Sequence, residues 1–154
     1  MKKRIEYKTG NLLDANVEAL VNAVNCVGIM GRGIALQFKK TFPANFEVYR
    51  QACDANQVQP GRIFVYETCF PRNPKFIINF PTKRHWRDKS RMEDIKIGLL
   101  DLKAFIQLRE IKSIAVPALG CGLGGLNWNE VRDQIELVLG GLEGLSLEVF
   151  EPQK

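Results

Sequence analysis

Two glycine-rich segments, GIMGRGIA at residues 28–35 and ALGCGLGGL at residues 118–126, are the places where this chain could do chemistry, because each follows an apolar run and precedes a helical one. Glycine lets backbone N–H groups approach an anion with no Cβ in the way, and a following helix N-terminus adds about half a positive charge. The pair predicts two walls of one diphosphate site. Neither is a familiar single-loop nucleotide motif, since G-x-x-x-x-G-K-[ST] does not occur and Gly28, Gly31 and Gly33 have the wrong order for G-x-G-x-x-G. A third stretch, KRHWRDKSR at residues 83–91, sets five cations (Lys83, Arg84, Arg87, Lys89, Arg91) against one acid, Asp88, and interleaves His85 and Trp86. Cations around an aromatic suit a nucleic-acid strand, giving charge for phosphates and a flat face for a base. A solvated basic loop ahead of a helix is the plainer reading of the same residues.

The elements that must position these segments alternate along the chain. Strand-like runs cover 4–8, 19–24, 62–66, 75–80, 113–116 and 145–150, most of them apolar on both faces, as in a sheet covered on both sides. Helical patterns cover 33–41, 43–54, 91–109 and 128–139. The long one reads as starting with a capping box, Ser90-x-x-Glu93, and carries Ile95, Leu99, Leu102 and Ile106 at core-facing spacing. Asn127 and Glu130 stand in the same relation before Val131, Ile135 and Val138. The alternation implies an α/β fold, a three-layer α/β/α sandwich on a mixed, mainly parallel sheet. In such sheets ligands bind beyond the carboxyl ends of the strands, where both glycine loops and the basic segment fall, so all three are expected to face one cleft.

At 154 residues, 45% hydrophobic and 25% charged, the chain is expected to be one domain with an ordinary core. Its four cysteines, Cys26, Cys53, Cys69 and Cys121, form no C-x-x-C pair and read as small buried hydrophobes. No charged-then-apolar leader precedes the first strand, and a reduced cytoplasmic setting is expected. One histidine and scattered cysteines argue against a zinc site, no apolar run approaches the roughly 20 residues of a membrane span, and neither metal nor cofactor is expected. The formal charge of +5 favours an anionic partner.

The string EALVNAVNCVGIMGRGIALQFKKTFP at residues 18–43, with PALGCGLGGLNW at residues 117–128, resembles the macrodomain family of ADP-ribose binders over nearly the whole chain. NFPTKRHW at residues 79–86 narrows the resemblance to macrodomains of the DarG type, DNA ADP-ribosyl glycohydrolase antitoxins that oppose a DarT-type toxin, and more broadly to the terminal ADP-ribose glycohydrolases. The resemblance implies that Asn22 and Asn25 contact the distal ribose. It implies that the backbones of Gly28 to Ile34, that is Gly28, Ile29, Met30, Gly31, Arg32, Gly33 and Ile34, and of Gly120, Cys121, Gly122, Leu123, Gly124 and Gly125, hold the diphosphate. Asn11 and Leu12 fall at the adenine; Asn11 stands where many macrodomains have an aspartate that accepts from the adenine amino group, and an amide carbonyl accepts without charge assistance. Without the resemblance, Asn22 and Asn25 read equally well as turn residues at a strand end.

Lys83 aligns with the catalytic lysine of this branch, and a mechanism led by it would recruit Asn22, substrate hydroxyls or water as partner. As a neutral amine, which neighbouring cations favour, a lysine attacks an anomeric carbon; as an ammonium it stabilises or protonates the departing base. The sequence leaves both open, along with a plain phosphate-contacting lysine. One departure stands out: Gly124 occupies the place of the aspartate that the terminal glycohydrolases carry in their second glycine loop. Asn127 nearby is no base and reads as a helix cap.

The expected function is removal of ADP-ribose from a base, thymidine, in single-stranded DNA. Arg84, Arg87 and Lys89 would track the strand and Trp86 or His85 would stack on a base. The partners are then ADP-ribosylated single-stranded DNA, ADP-ribose and a DarT-type toxin, bound through a C-terminal domain that the family continues into and that these 154 residues do not include. A monomer is expected. A non-catalytic ADP-ribose reader and a hydrolase of ADP-ribosyl esters on protein are the rival readings.

Overall fold

The computed structural model describes residues 4–152. Six strands, β1 (Arg4–Lys8), β2 (Ala19–Val24), β3 (Phe64–Glu67), β4 (Phe76–Pro81), β5 (Ser113–Val116) and β6 (Ser146–Phe150), form one sheet in the order β1-β6-β5-β2-β4-β3. All neighbours run parallel except β3, which is antiparallel to β4 at one edge. Between the strands lie α1 (Gly33–Thr41), α2 (Pro43–Asp54), α3 (Met92–Arg109) and α4 (Trp128–Leu139), with a 3-10 turn over Leu12–Asp14 that the sequence reading passed over.

Alternation along the central strands sorts side chains between two helical layers. Ala19 and Val21 of β2 face a core shared with Ile95, Leu99, Leu102 and Ile106 of α3 and Val131, Ile135 and Val138 of α4. Leu20 between them faces the opposite layer, with Phe38 of α1, and Val24 packs with Tyr49 and Ala52 of α2. The sandwich is therefore α3 and α4, then the sheet, then α1 and α2. Strands β2 and β4 lie covered on both sides, as their unbroken apolar runs require.

Three expectations need correction. The fourth strand runs one residue later than read, and the third, read over 62–66, spans Phe64–Glu67 because it must pair with β4 from Phe64 opposite Asn79 to Glu67 opposite Phe76. The α3 capping box does not form: the N-cap residue is Arg91, with no side-chain cap bond, and Ser90 is buried against the second glycine loop instead. By contrast Asn127 caps α4, its Oδ1 accepting from the Glu130 amide at 3.2 Å. Third, only Cys53 is fully buried; Cys26 and Cys121 are half-buried and Cys69 is exposed. Among the described residues no helix is long and apolar enough to cross a membrane, and no group of His, Cys, Asp and Glu could hold a metal ion.

Candidate active site

Strands β5, β2 and β4 are consecutive in the sheet, so the loops that leave their carboxyl ends stand side by side over one cleft of about 1090 Å3. The second glycine loop follows β5, the first follows β2, and the Lys83 loop follows β4. At the far end, beyond β5, the carboxyl ends of β6 and β1 contribute Phe150 to Pro152 and Gly10 to Leu12. The topology thus orders the cleft from Asn11 and Glu151, through the two glycine loops, to Lys83 and Trp86.

The first glycine loop is built by Asn25. Its Oδ1 accepts from the amides of Val27 at 3.1 Å and Ile29 at 3.4 Å, and its Nδ2 donates to the Ile29 carbonyl at 2.8 Å. Tyr49 secures this turn from α2, its hydroxyl reaching the Asn25 carbonyl at 2.7 Å and Oδ1 at 2.9 Å. Burial pushes the Tyr49 phenol far above its ordinary value, so it remains a neutral donor. Gly28 has φ 84° and backs onto Arg50 and Cys53, where a side chain would have to be both strained and tightly packed. Asn25 lines the cleft, with its side-chain amide bonded into the loop and one of its two Nδ2 hydrogens engaged by the Ile29 carbonyl.

Asn22 lies elsewhere. It is wholly buried on the α2 side of the sheet and is not part of the cleft wall. It stands in register with Asn79 of β4, donating to Asn79 Oδ1 at 3.3 Å and to the Met30 sulfur at 3.7 Å. Asn45 of α2 donates to the same Oδ1 at 3.2 Å and accepts from Asn79 Nδ2 at 2.8 Å. This asparagine triad ties β2, β4 and α2 together directly beneath the loops. In this arrangement Asn22 supports the loop that carries Met30, while a direct ribose contact would need the side chain exposed.

The Lys83 loop is stitched to the first glycine loop. Val24 O accepts from the amides of Thr82 at 2.8 Å and Lys83 at 3.4 Å, and Arg84 O accepts from the Cys26 amide at 3.2 Å. Lys83 is half-buried in the cleft wall and its Nζ donates to the Trp86 carbonyl at 3.1 Å. Trp86 is 50% exposed at the cleft mouth, with His85 tilted against it at 5.2 Å and the Arg87 guanidinium 5.9 Å from its ring. The basic segment divides at Arg84. That guanidinium is committed to buried Asp94 of α3 through Nε and Nη2, both at 3.3 Å, and the carboxylate raises its pKa. Arg84 is therefore an anchor and not a free strand contact, whereas Arg87 and Lys89 stay exposed and, among the described residues, unpaired with any acid.

The second glycine loop closes against the start of α3. Ser90 donates its amide to Gly124 O at 3.0 Å, and its buried hydroxyl has no hydrogen-bond partner. A Cβ on Gly124 would stand 2.5 Å from Gly120 O and closer still to Ser90 Oγ. No side chain fits there without a shift of the loop, so the carboxylate that the resemblance to the terminal glycohydrolases implies at this position has no room in this loop. Gly120, Gly122, Leu123 and Gly124 line the cleft, while Cys121 and Gly125 lie behind it.

Of the remaining anticipated residues, Leu12, Ile29, Gly31, Gly33 and Ile34 line the cleft with Asn11, and Gly28 and Met30 do not. Asn11 Oδ1 accepts from the Leu13 amide at 3.1 Å and caps the 3-10 turn. Arg32, within the Gly28 to Ile34 stretch, also lines the cleft, whereas sequence reasoning missed Thr82 and Glu151 as cleft residues. Glu151 had no local pattern to mark it, since it becomes a cleft residue only through the pairing of β6 with β1.

The fold and the cleft define an α/β/α domain with one loop-lined cleft at the carboxyl ends of its central strands, and residues 21–135 match the Macro domain family; the chain belongs to that family. Within it the similarity is to DarG in particular. The macrodomain of Mycobacterium tuberculosis DarG superposes with a TM-score of 0.96 at 45% identity, covering 99% of this chain and 100% of that one. The Thermosipho africanus DarTG structure in complex with ADP-ribose matches with a TM-score of 0.90 at 31% identity, covering 98% of this chain and 42% of that one. A Thermus aquaticus protein named DNA ADP-ribosyl glycohydrolase is 53% identical over 148 residues, 96% of this chain and 41% of its own length. The chain thus spans about two fifths of that relative.

Proposed function

We propose that this macrodomain binds ADP-ribose in the cleft and hydrolyses its bond to a base, thymidine, in single-stranded DNA, reversing the modification made by a DarT-type toxin. The observation that carries the reading is that Lys83 Nζ lies in the wall of the same cleft as both glycine loops, beside an exposed tryptophan. The diphosphate rests on the backbone amides over β5 and β2, which places the distal ribose toward β4 and Lys83. Water adds its hydroxyl to the anomeric carbon, the bond from that carbon to the base breaks, and the base nitrogen takes the proton. Lys83 supplies the cationic or nucleophilic group at that carbon, held in place by the Trp86 carbonyl. Arg87 and Lys89 meet strand phosphates and Trp86 stacks on a base. The relatives named DNA ADP-ribosyl glycohydrolase, at 53% and 47% identity, support the same substrate class.

The lack of space for a carboxylate at Gly124 favours a second reading, ADP-ribose binding without turnover. One experiment separates the two: the protein, in EDTA, is incubated with an oligonucleotide bearing one ADP-ribosylated thymidine, and released ADP-ribose is followed by mass spectrometry. Release by the wild type with loss of at least 100-fold in Lys83→Ala is expected from the contribution of a positioned catalytic group. Binding of free ADP-ribose with no release by the wild type would establish the reader.

A further inference from the structure

Among the described residues Glu151 is the one acidic residue in the cleft wall, and it lies at the end opposite Lys83. An acid in a cleft that accepts a diphosphate repels its ligand unless it meets a hydrogen-bond donor, because an ionised carboxylate only accepts. Its backbone is fixed: the Glu151 amide donates to Lys8 O at 2.9 Å, continuing the β1–β6 ladder by one residue beyond the Lys8–Phe150 pair. None of the ion pairs among the described residues includes Glu151, and the nearby Lys8 is engaged by Glu148 at 2.8 Å and Glu6 at 3.8 Å. The residue is thus fixed in the cleft wall by its backbone, and among the described residues its carboxylate has no ion-pair partner.

Its location along the cleft selects the donor it can meet. Three strand spacings separate β6 from β4, about 14 Å, with the glycine loops of β5 and β2 between them. With the distal ribose at Lys83 and the diphosphate over the glycine loops, the nucleoside half of the ligand extends toward β6 and β1. The purine there carries one exocyclic donor, the amino group. Asn11, at the same end, has one lone pair of its carbonyl oxygen engaged with the Leu13 amide and accepts with the other only without charge assistance. We infer that Glu151 is the adenine-selecting residue of this macrodomain, its carboxylate accepting from the exocyclic amino group. This rests on the reading of the cleft as an ADP-ribose site and adds the residue that tells its base apart.

The test is calorimetric titration of ADP-ribose and of its hypoxanthine counterpart, which has a carbonyl in place of the amino group, into the wild type, Glu151→Gln and Glu151→Ala. The wild type is expected to bind ADP-ribose on the order of 10- to 100-fold more tightly than the hypoxanthine ligand, the usual range for a hydrogen bond to a charged group. Glu151→Ala brings that ratio to within about threefold of unity, and Glu151→Gln, which keeps a neutral acceptor, falls between. The ratio is taken within each variant, so a smaller folded fraction cancels. A wild type without preference, or an alanine variant that keeps the full ratio, overturns the assignment of Glu151 while leaving the ADP-ribose site standing. Failure of the wild type to bind ADP-ribose at all overturns both.

Discussion

Gly124→Ala is the substitution whose cost the structure fixes most tightly. The added Cβ would lie 2.5 Å from the Gly120 carbonyl oxygen and 2.9 Å from Ser90 Cβ, against an ordinary carbon separation of about 3.5–4.0 Å. The serine can be trimmed, but the carbonyl cannot move freely: Gly120 sits at φ 74° and its oxygen accepts from the Leu126 amide at 2.9 Å, which holds the loop closed. An insertion of one methyl into such a site costs about 1–3 kcal/mol. For a domain of this length that lowers Tm by roughly 2–12 °C. Urea unfolding followed by tryptophan fluorescence measures the loss, and titration with ADP-ribose reports whether the loop has shifted. Ser90→Gly in the same background removes only the serine part of the clash, so the double variant recovers part of the stability with a coupling of about 0.5 kcal/mol or more. An unchanged unfolding midpoint with unchanged ADP-ribose binding in Gly124→Ala would refute the steric argument. So would a Gly124→Asp variant that folds normally and turns over faster, since it would show that the loop accepts the carboxylate for which we find no room.

Two further expectations concern charge. Arg87→Ala should reduce the slope of log affinity against log salt for single-stranded DNA by about 0.7, the value for one lost phosphate contact, without changing the unfolding midpoint. Arg84→Ala should instead lower the urea unfolding midpoint, because it strands the buried Asp94 carboxylate, the half-exposed arginine limiting the effect. Equal effects of the two on both readouts would contradict the division of the basic segment. The third concerns alkaline pH: burial raises the Cys26 and Cys121 thiols from their ordinary value of 9.0 to about 11. Over that window the folded chain binds more protons than the unfolded one, so the stability contribution is complete below pH 9 and is lost as pH rises toward 11. Denaturation midpoints across pH 8–11 should fall in that window for the wild type and less in Cys26→Ala/Cys121→Ala; a flat profile would count against it.

Local signals made the layers and most element ends readable. Gly33 and Pro43 mark helix starts, Asn127 caps α4 as its spacing predicted, and unbroken apolar runs place β2 and β4 in the sheet interior. What stayed hidden depended on partners far along the chain. Ser90-x-x-Glu93 has every local feature of a cap, yet contact with Gly120 and Gly124, thirty residues and more downstream, turns the serine away. Nothing near Asn22 announces that Asn45 and Asn79 complete its network. Likewise the commitment of Arg84 to Asp94 needs the geometry between the β4 loop and α3, and composition counts both merely as charges.

The strand order has a consequence for how the cleft comes into being on the ribosome. The Lys83 loop and the first glycine loop can meet once β4 pairs with β2, but β5, which brings the second glycine loop, inserts on the other side of β2 only after α3 has been made. The Asn11 end waits longer still, because β1 is held in the sheet by β6 alone, the sheet's first strand along the chain pairing with its last. Such non-local pairings form late and at an entropic cost that nearby contacts do not defray. A nascent chain therefore carries its lysine and its asparagine well before it has a pocket, and the proposed capacity to grip a nucleotide should switch on only once β6 has emerged and docked.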